Sequence, residues 1–305
     1  MPKSLIAIFC CILHWIIAVV PCVAIENPRL APQMVKYVKS KHTNALYVKQ
    51  SQYFFELFQL AMEKSGVPYE IEIVGIPSAI PQGRSILLLQ QGYYDVHWMT
   101  TDPEREALLL PIRIPLFKGL IGLRLMFVHQ DNPDIFSHIT HVDQLKSYLA
   151  GQGRDWPDTQ LLLQHRFRVQ EATTTEGLLQ MLSRKRIEYL SRSILEVWHE
   201  AEVSEALPIV VDQHIALRYP SAVYFFVTKE NKALQATIQL GLNNAIKDGS
   251  FDRLFNQYVK SDLLRSQLSA RKILNIANPN MSPDTPLGVK EYWYSTADKV
   301  TTPEE

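Results

Sequence analysis

Apolar and polar positions alternate between two periods along this chain, so it reads as strands and helices in turn. Residues 25–42 hold Pro28, Pro32 and a basic cluster (Lys36, Lys39, Lys41), and read as a lead-in. Ala45 to Val48 is expected to form the first strand. A helix from about Gln52 follows, with Phe55, Phe58, Leu60 and Met62 as apolar surface, stopped by Gly66 and Pro68. Tyr69 to Ile76 alternates as a second strand, Arg84 to Gln91 as a second helix, and Tyr94 to Met99 as a third strand. That βαβαβ order implies a mostly parallel, wound sheet.

The β-rich run Gly119 to His129 is placed to leave one lobe and enter another. Beyond it the pattern repeats: helices at Val142–Leu149, Asp158–Gln164, Thr175–Arg186 and Ile194–Ala201, and strands at Ala150–Gly153, Arg168–Ala172, Glu188–Ser191 and Ile209–Val211. Ala222 to Thr228 reads as a strand returning to the first lobe. Helices at Asn231–Lys247 and Phe251–Leu264 precede a Pro-rich tail with Tyr292, Trp293 and Tyr294, and the last ten residues are polar.

Composition narrows the classes. With 305 residues, 47% hydrophobic and 20% charged, the chain is long enough for two lobes and unlike a disordered or membrane-bundle protein. A formal net charge of zero gives no electrostatic case for nucleic acid or an anionic membrane.

The N-terminus differs in kind. Lys3 precedes an apolar run, Leu5 to Val20, and then Pro21, Cys22, Val23 and Ala24. This is the pattern of a Sec-type signal peptide over residues 1–24, cleaved after Ala24, with an uncleaved anchor as the alternative. All three cysteines (Cys10, Cys11, Cys22) lie inside it, so a cleaved chain has no disulfide and no cysteine metal site. Cleavage removes only Lys3 of 31 basic residues, against 31 acidic ones, which moves the net charge to −1.

The chemistry concentrates between Gln90 and Leu116. A short strand empties into Thr100, Thr101 and Asp102, then Pro103, Glu104 and Arg105, the kind of strand end where α/β folds build ligand sites. Gly92, Asp95, Thr100 and Arg105 resemble the G-x-x-D, strand, T-x-x-x-x-R pattern of periplasmic solute-binding proteins of the amino-acid type. The segment Ala245 to Tyr258 (AIKDGSFDRLFNQY) resembles that family's closing helix pair. The chain looks most similar to a little-characterised Gram-negative subgroup, through Pro111–Arg124, Trp156–Thr159, the R-x-x-x-E element Arg192–Glu196, and Asn278–Leu287.

The resemblance implies a type 2 periplasmic binding protein fold: two Rossmann-like α/β lobes joined by two crossover strands, with the ligand between them. Lobe 1 is expected over 25–123 plus 226–305, and lobe 2 over 124–225. It implies a periplasmic, monomeric protein that closes on a small amino-acid-like or organic-acid ligand. A membrane permease or a sensor kinase or cyclase, as a separate chain, would receive it. No cofactor or metal is implied.

Within that frame Arg105 is expected to clamp a carboxylate through its planar guanidinium, with Thr100 donating a hydroxyl hydrogen bond. Trp98 or Tyr53 would supply an apolar wall. Asp102 departs from the family pattern, and would either orient Arg105 or exclude acidic ligands. The helix start at Trp156 would receive an anionic or carbonyl group, or simply begin a helix with Asp155 as cap. Arg192 and Glu196 would either pair across a helix start or face the cleft and bias it toward anions.

Two other readings stay open. His97 with Glu196 would serve as acid and base in a dehydratase-like enzyme, and an envelope interaction protein would carry a degenerate site. His138 and His141 stand three apart without an evident third metal ligand.

Overall fold

The structure, a computed structural model, describes residues 32–40, 44–76 and 82–295. The expected export signal, its cleavage site after Ala24 and the polar last ten residues lie outside the described residues. No described helix is long and apolar enough to cross a membrane.

The first half runs β1 (Gln33–Ser40), α1 (Ala45–Ser65), β2 (Tyr69–Ile76), α2 (Gln82–Gln90), β3 (His97–Thr100), α3 (Pro103–Leu108) and β4 (Leu110–Ile112). A 3-10 turn at Leu120–Gly122 leads into β5 (Leu123–His129), α4 (Val142–Leu145), β6 (Leu149–Gly153), α5 (Pro157–Gln164) and β7 (Arg168–Ala172). Then come α6 (Thr175–Ser183), β8 (Tyr189–Ser193), α7 (Val197–Val203), β9 (Ile209–Val211), β10 (Ile215–Arg218) and β11 (Val223–Val227). The last elements are α8 (Lys232–Lys247), α9 (Ser250–Ser266) and β12 (Lys272–Asn275).

The βαβαβ order is present, but its first strand is β1, inside the expected lead-in. Val35 and Tyr37 point into the core with no exposed surface, the alternation a strand requires. Ala45–Val48, expected as that strand, is the first turn of α1. Asn44 caps it, accepting from Tyr47 N at 3.0 Å, which satisfies one of the amides left open at a helix start. Helix α1 then buries Tyr53, Phe54, Leu57, Phe58, Ala61 and Met62, a stripe at three- and four-residue spacing. Each fully buried aromatic contributes about 2–3 kcal/mol by removal from water.

The strands β1 and β2 pair in parallel over their full length. A parallel bridge between Tyr37 and Val96 joins them to β3, next to which β11 lies antiparallel, with β4 on its other side. Asp95 pins this seam: its Oδ2 accepts from Lys36 N at 2.7 Å, and its own N–H donates to Lys36 O at 2.9 Å. The Asp of the G-x-x-D pattern is therefore a sheet fastener. We call this the smaller lobe.

The larger lobe holds seven strands in the order β12-β10-β5-β8-β6-β7, with β9 also on β5. The chain crosses between lobes before β5 and again between β10 and β11, where Tyr219 N donates to Gly122 O at 3.0 Å. Two details differ from the expected boundaries. The division at 225/226 falls inside β11, which pairs with β3 and β4 from Val223 onward. Residues 226–305 also do not keep to one lobe, because β12 pairs in parallel with β10.

Candidate functional site

A cleft of about 270 Å³ lies between the lobes. Thr100, Thr101 and Asp102 line it from the end of β3, Ile121 and Arg124 from the outgoing crossing, and Ser221 from the returning one. Trp156, Pro157, Asp158 and Leu161 of α5 and its start, Thr175 at the start of α6, Arg192 near the end of β8 and Glu196 just after it face them. Asn278 and Asn280 of the C-terminal tail complete the lining.

On the smaller-lobe side, β3 ends at Thr100 and Asp102 caps α3. Its Oδ1 accepts from Arg105 N at 2.8 Å, and its Oδ2 pairs with Arg105 Nε at 3.2 Å. Arg105 Nη1 donates to the carbonyl of Thr100. Burial draws the Arg105 pKa down, against Asp102 and Glu104, which raise it. Of the two roles read for Asp102, the geometry is that of orienting Arg105. The expected clamp residue is thus turned back on its own loop and does not line the cleft.

Nor do the two expected wall residues line it. Tyr53 is fully buried, donating from its hydroxyl to Leu116 O at 2.5 Å and stacking on Phe117 at 4.8 Å. Trp98 packs against Phe54 at 4.4 Å and Tyr47 at 5.7 Å. Both belong to the core around α1, since alternate residues of a strand face its two sides and α1 covers this one. The apolar wall comes instead from Ile121, Trp156, Pro157 and Leu161.

The larger-lobe side is a charge network. Arg124 opens β5 and pairs with Asp158 at 2.5 Å and Glu196 at 3.5 Å, its guanidinium 5.6 Å from the Tyr219 ring. Arg192 ends β8 and is held by Glu200 through two bonds, Nε to Oε2 at 2.7 Å and Nη2 to Oε1 at 2.6 Å. Glu196 stands between the two arginines, 3.3 Å from Arg192, and accepts from Ser193 N at 3.1 Å. Burial pulls both arginine pKa values down, and the surrounding carboxylates more than reverse it, so both stay charged.

Trp156 lies 4.3 Å from the Arg192 guanidinium and folds flat over the strand end at Gly153. A Cβ at Gly153 would sit 2.3 Å from the indole, so only glycine leaves the ring this seat.

Arg192 and Glu196 therefore both line the cleft and also pair, and Arg192 has its tighter partner in Glu200. Arg124, Asp158 and Glu200 are additions that sequence reasoning did not single out. One signal was available: Arg124 is the sole charged residue in the apolar run Leu123–Val128. The start of α5 has no side-chain cap, its N-cap is Trp156 rather than Asp155, and Asp158 in its first turn already answers the helix dipole.

Three carboxylates (Asp158, Glu196, Glu200) face two arginines, which leaves one net negative charge. Such a surface favours a ligand bearing a cationic group, and a ligand carboxylate would have to displace an acid already in place. His97 is buried in the smaller lobe between Tyr94 at 5.4 Å and Trp98 at 5.5 Å. The acid–base pair of His97 with Glu196 does not assemble. His138 lies beside Tyr148, 3.4 Å from its hydroxyl. Among the described residues no cluster of three or more His, Cys, Asp or Glu is placed to hold a metal ion.

No model of a known protein family matches the chain, and no curated protein matches it. Solved structures do. The probable amino-acid ABC transporter extracellular-binding protein YtmK of Bacillus subtilis aligns at a TM-score of 0.57 and 16% identity, covering 76% of this chain and 100% of that one. The VFT2 domain of Bordetella pertussis BvgS, as a double mutant, aligns at 0.54 and 17% identity, over 74% and 93%. An ancestral arginine-binding protein bound to arginine aligns at 0.51 and 17% identity, over 74% and 97%. At such identities the likeness establishes architecture alone: the chain has the two-lobed α/β fold of the type 2 periplasmic binding proteins.

Proposed function

We propose that the protein is an exported, periplasmic solute-binding protein that holds a small, amino-acid-like ligand between its lobes. The observation that carries this reading is the cleft lining. Hydroxyls from one lobe face a buried, net-acidic charge network on the other, as a polar ligand needs once water is expelled. The acid excess directs the ligand's amine or guanidinium toward Glu196 and Asp158, with Trp156 as its apolar neighbour. A ligand carboxylate is left to Thr100 and, once released from Asp102, Arg105, because the Thr101 hydroxyl already donates to Glu106. Delivery would be to an ABC-type permease or a membrane sensor, in keeping with neighbours described as extracellular-binding proteins of transporters and as sensor domains of histidine kinases.

Thermal shift and calorimetry with L-arginine, L-glutamine and succinate test this. A ligand at one hundred times its Kd stabilises by about 2.7 kcal/mol. We expect L-arginine to stabilise most and succinate least, and Glu196→Gln to weaken L-arginine about tenfold or more. Stabilisation by succinate alone would reverse the assigned polarity. No response to any of the three would favour the degenerate site.

A further inference from the structure

Beyond β12 the tail stays on the protein surface and touches both lobes. Asn278 Nδ2 donates to Pro220 O at 2.8 Å, on the returning crossing, and its Oδ1 accepts from Asn280 N at 3.0 Å. Asn280 Oδ1 accepts from Gln164 Nε2 at 3.3 Å, at the end of α5 in the larger lobe. Four residues later the tail is on the smaller lobe. Asp284 pairs with Arg113 at 3.2 Å, Arg113 pairs with Glu106 at 2.5 Å, and Glu106 accepts from Thr101 Oγ1 at 2.6 Å. Thr101 itself lines the cleft. Met281 and Trp293 pack on the smaller lobe's outer core cluster.

The tail ends its path on the outgoing crossing. Tyr294 N donates to Lys118 O at 2.8 Å, and the Trp293 ring lies on Gly119 so closely that a Cβ there would sit 2.5 Å from it. Gly119 has φ +78°, a left-handed conformation that glycine takes without strain. Trp293 Nε1 donates to Pro286 O at 2.9 Å, which closes the tail on itself around that seat.

We propose that residues 276–294 form a third wall of the ligand cleft, strapped across both lobes and both crossings, and that Asn280 is a specificity-determining residue. The assignment rests on the cleft being the ligand site. Two lobes hinged only at their crossings open by rotation about those segments. Here the strap is fastened to Lys118 on one crossing and Pro220 on the other, and to a side chain of each lobe. Rotation must stretch or release those fastenings, so the strap limits how far the cleft opens. Asn280 has its amide oxygen committed to Gln164 and lines the cleft, so its amide nitrogen is the neutral hydrogen-bonding group it can offer a ligand there.

Spin labels at Glu104→Cys and Glu176→Cys, one on each lobe, report the opening in the ligand-free full chain. Cys10, Cys11 and Cys22 are replaced by serine so that only these sites are labelled. Pulsed electron resonance should show the inter-label distance distribution at least doubling in width with Trp293→Ala, and broadening less with the exposed Asp284→Ala, which keeps the core intact. Superimposable distributions for both variants would overturn the strap. Asn280→Asp should change the ratio of L-arginine to L-glutamine affinity by about tenfold without changing the ligand-free melting temperature, and an unchanged ratio would overturn the role of Asn280. If the parent chain binds neither amino acid, the cleft reading fails and takes Asn280 with it, while the label distances still decide the strap.

Discussion

The two sides of the cleft carry their charges by different means. On the smaller lobe Asp102 and Arg105 stand three residues apart in one capped turn, with the arginine side chain 12% exposed and the aspartate 30% exposed. On the larger lobe Arg124 and Arg192 keep 5% and 8% of their side-chain surface, and their partners come from α5, the loop after β8 and α7. A local, partly solvated pair is cheap to form and cheap to lose, because water takes the place of either partner. A buried network costs several kcal/mol per ion to desolvate, so each member depends on the others. The smaller lobe can therefore release Arg105 at lower cost, because its aspartate partner is within reach of water. The larger lobe can hardly release anything.

The widest gap between the sides should appear on truncating one acid. Glu200→Ala leaves the buried Arg192 guanidinium with Glu196 alone, 3.3 Å away, and is expected to cost about 3 kcal/mol in denaturant unfolding, whereas Arg105→Ala should cost about 1 kcal/mol. Similar losses for the two variants would erase the distinction. Replacing both partners, Arg192→Met with Glu200→Leu, should recover part of the first loss, since it removes the unpaired guanidinium but leaves Glu196 with Arg124 as its one charged partner.

Acid separates the sides next. Burial of His97 in the smaller lobe lowers its pKa from 6.5 to about 4, with its Nδ1 lacking a partner among the described residues. The unfolded chain binds the proton first, so this stabilisation is whole above about pH 6.5 and is lost as the pH falls toward about 4. Its full size is on the order of 3 kcal/mol. His97→Leu should flatten unfolding free energy over that window, and a slope that survives the substitution would assign it to other groups. Smallest is the cap: Asp102→Ala should cost about 1 kcal/mol through loss of the α3 N-cap, with Arg105 more mobile by relaxation measurements.

What could be read in the sequence follows the same division. Gly92, Asp95, Thr100, Asp102 and Arg105 lie within one strand and loop, so spacing alone placed them together, although not the direction Arg105 takes. The strand β7 and the pair α8 and α9 show their periods over consecutive residues. By contrast, β1 was hidden because Lys36 and Lys39 break up its apolar residues, and β10 and β12 span only four residues each. Glu200 meets Arg192 only because α7 turns back across the end of β8. Its partner is fixed by tertiary geometry, and no spacing rule names it. Tyr53 and Trp98 misled for the opposite reason: aromatics near a site are just as readily core, and α1 covers them.

The interleaving of the lobes bears on how the chain is made. When synthesis has reached Ala222, six of the seven strands of the larger sheet exist, and only the edge strand β12 is missing. The smaller sheet at that moment lacks β11, the strand that lies between β3 and β4 and hydrogen-bonds to both. It also lacks α8 and α9, which pack against α1 and cover its core. The lobe that begins the sequence therefore waits longer for its core than the larger lobe does: until residues 223–266 emerge, its aromatic core around Phe54, Phe58 and Phe225 stays incomplete, while the larger lobe awaits only an edge strand.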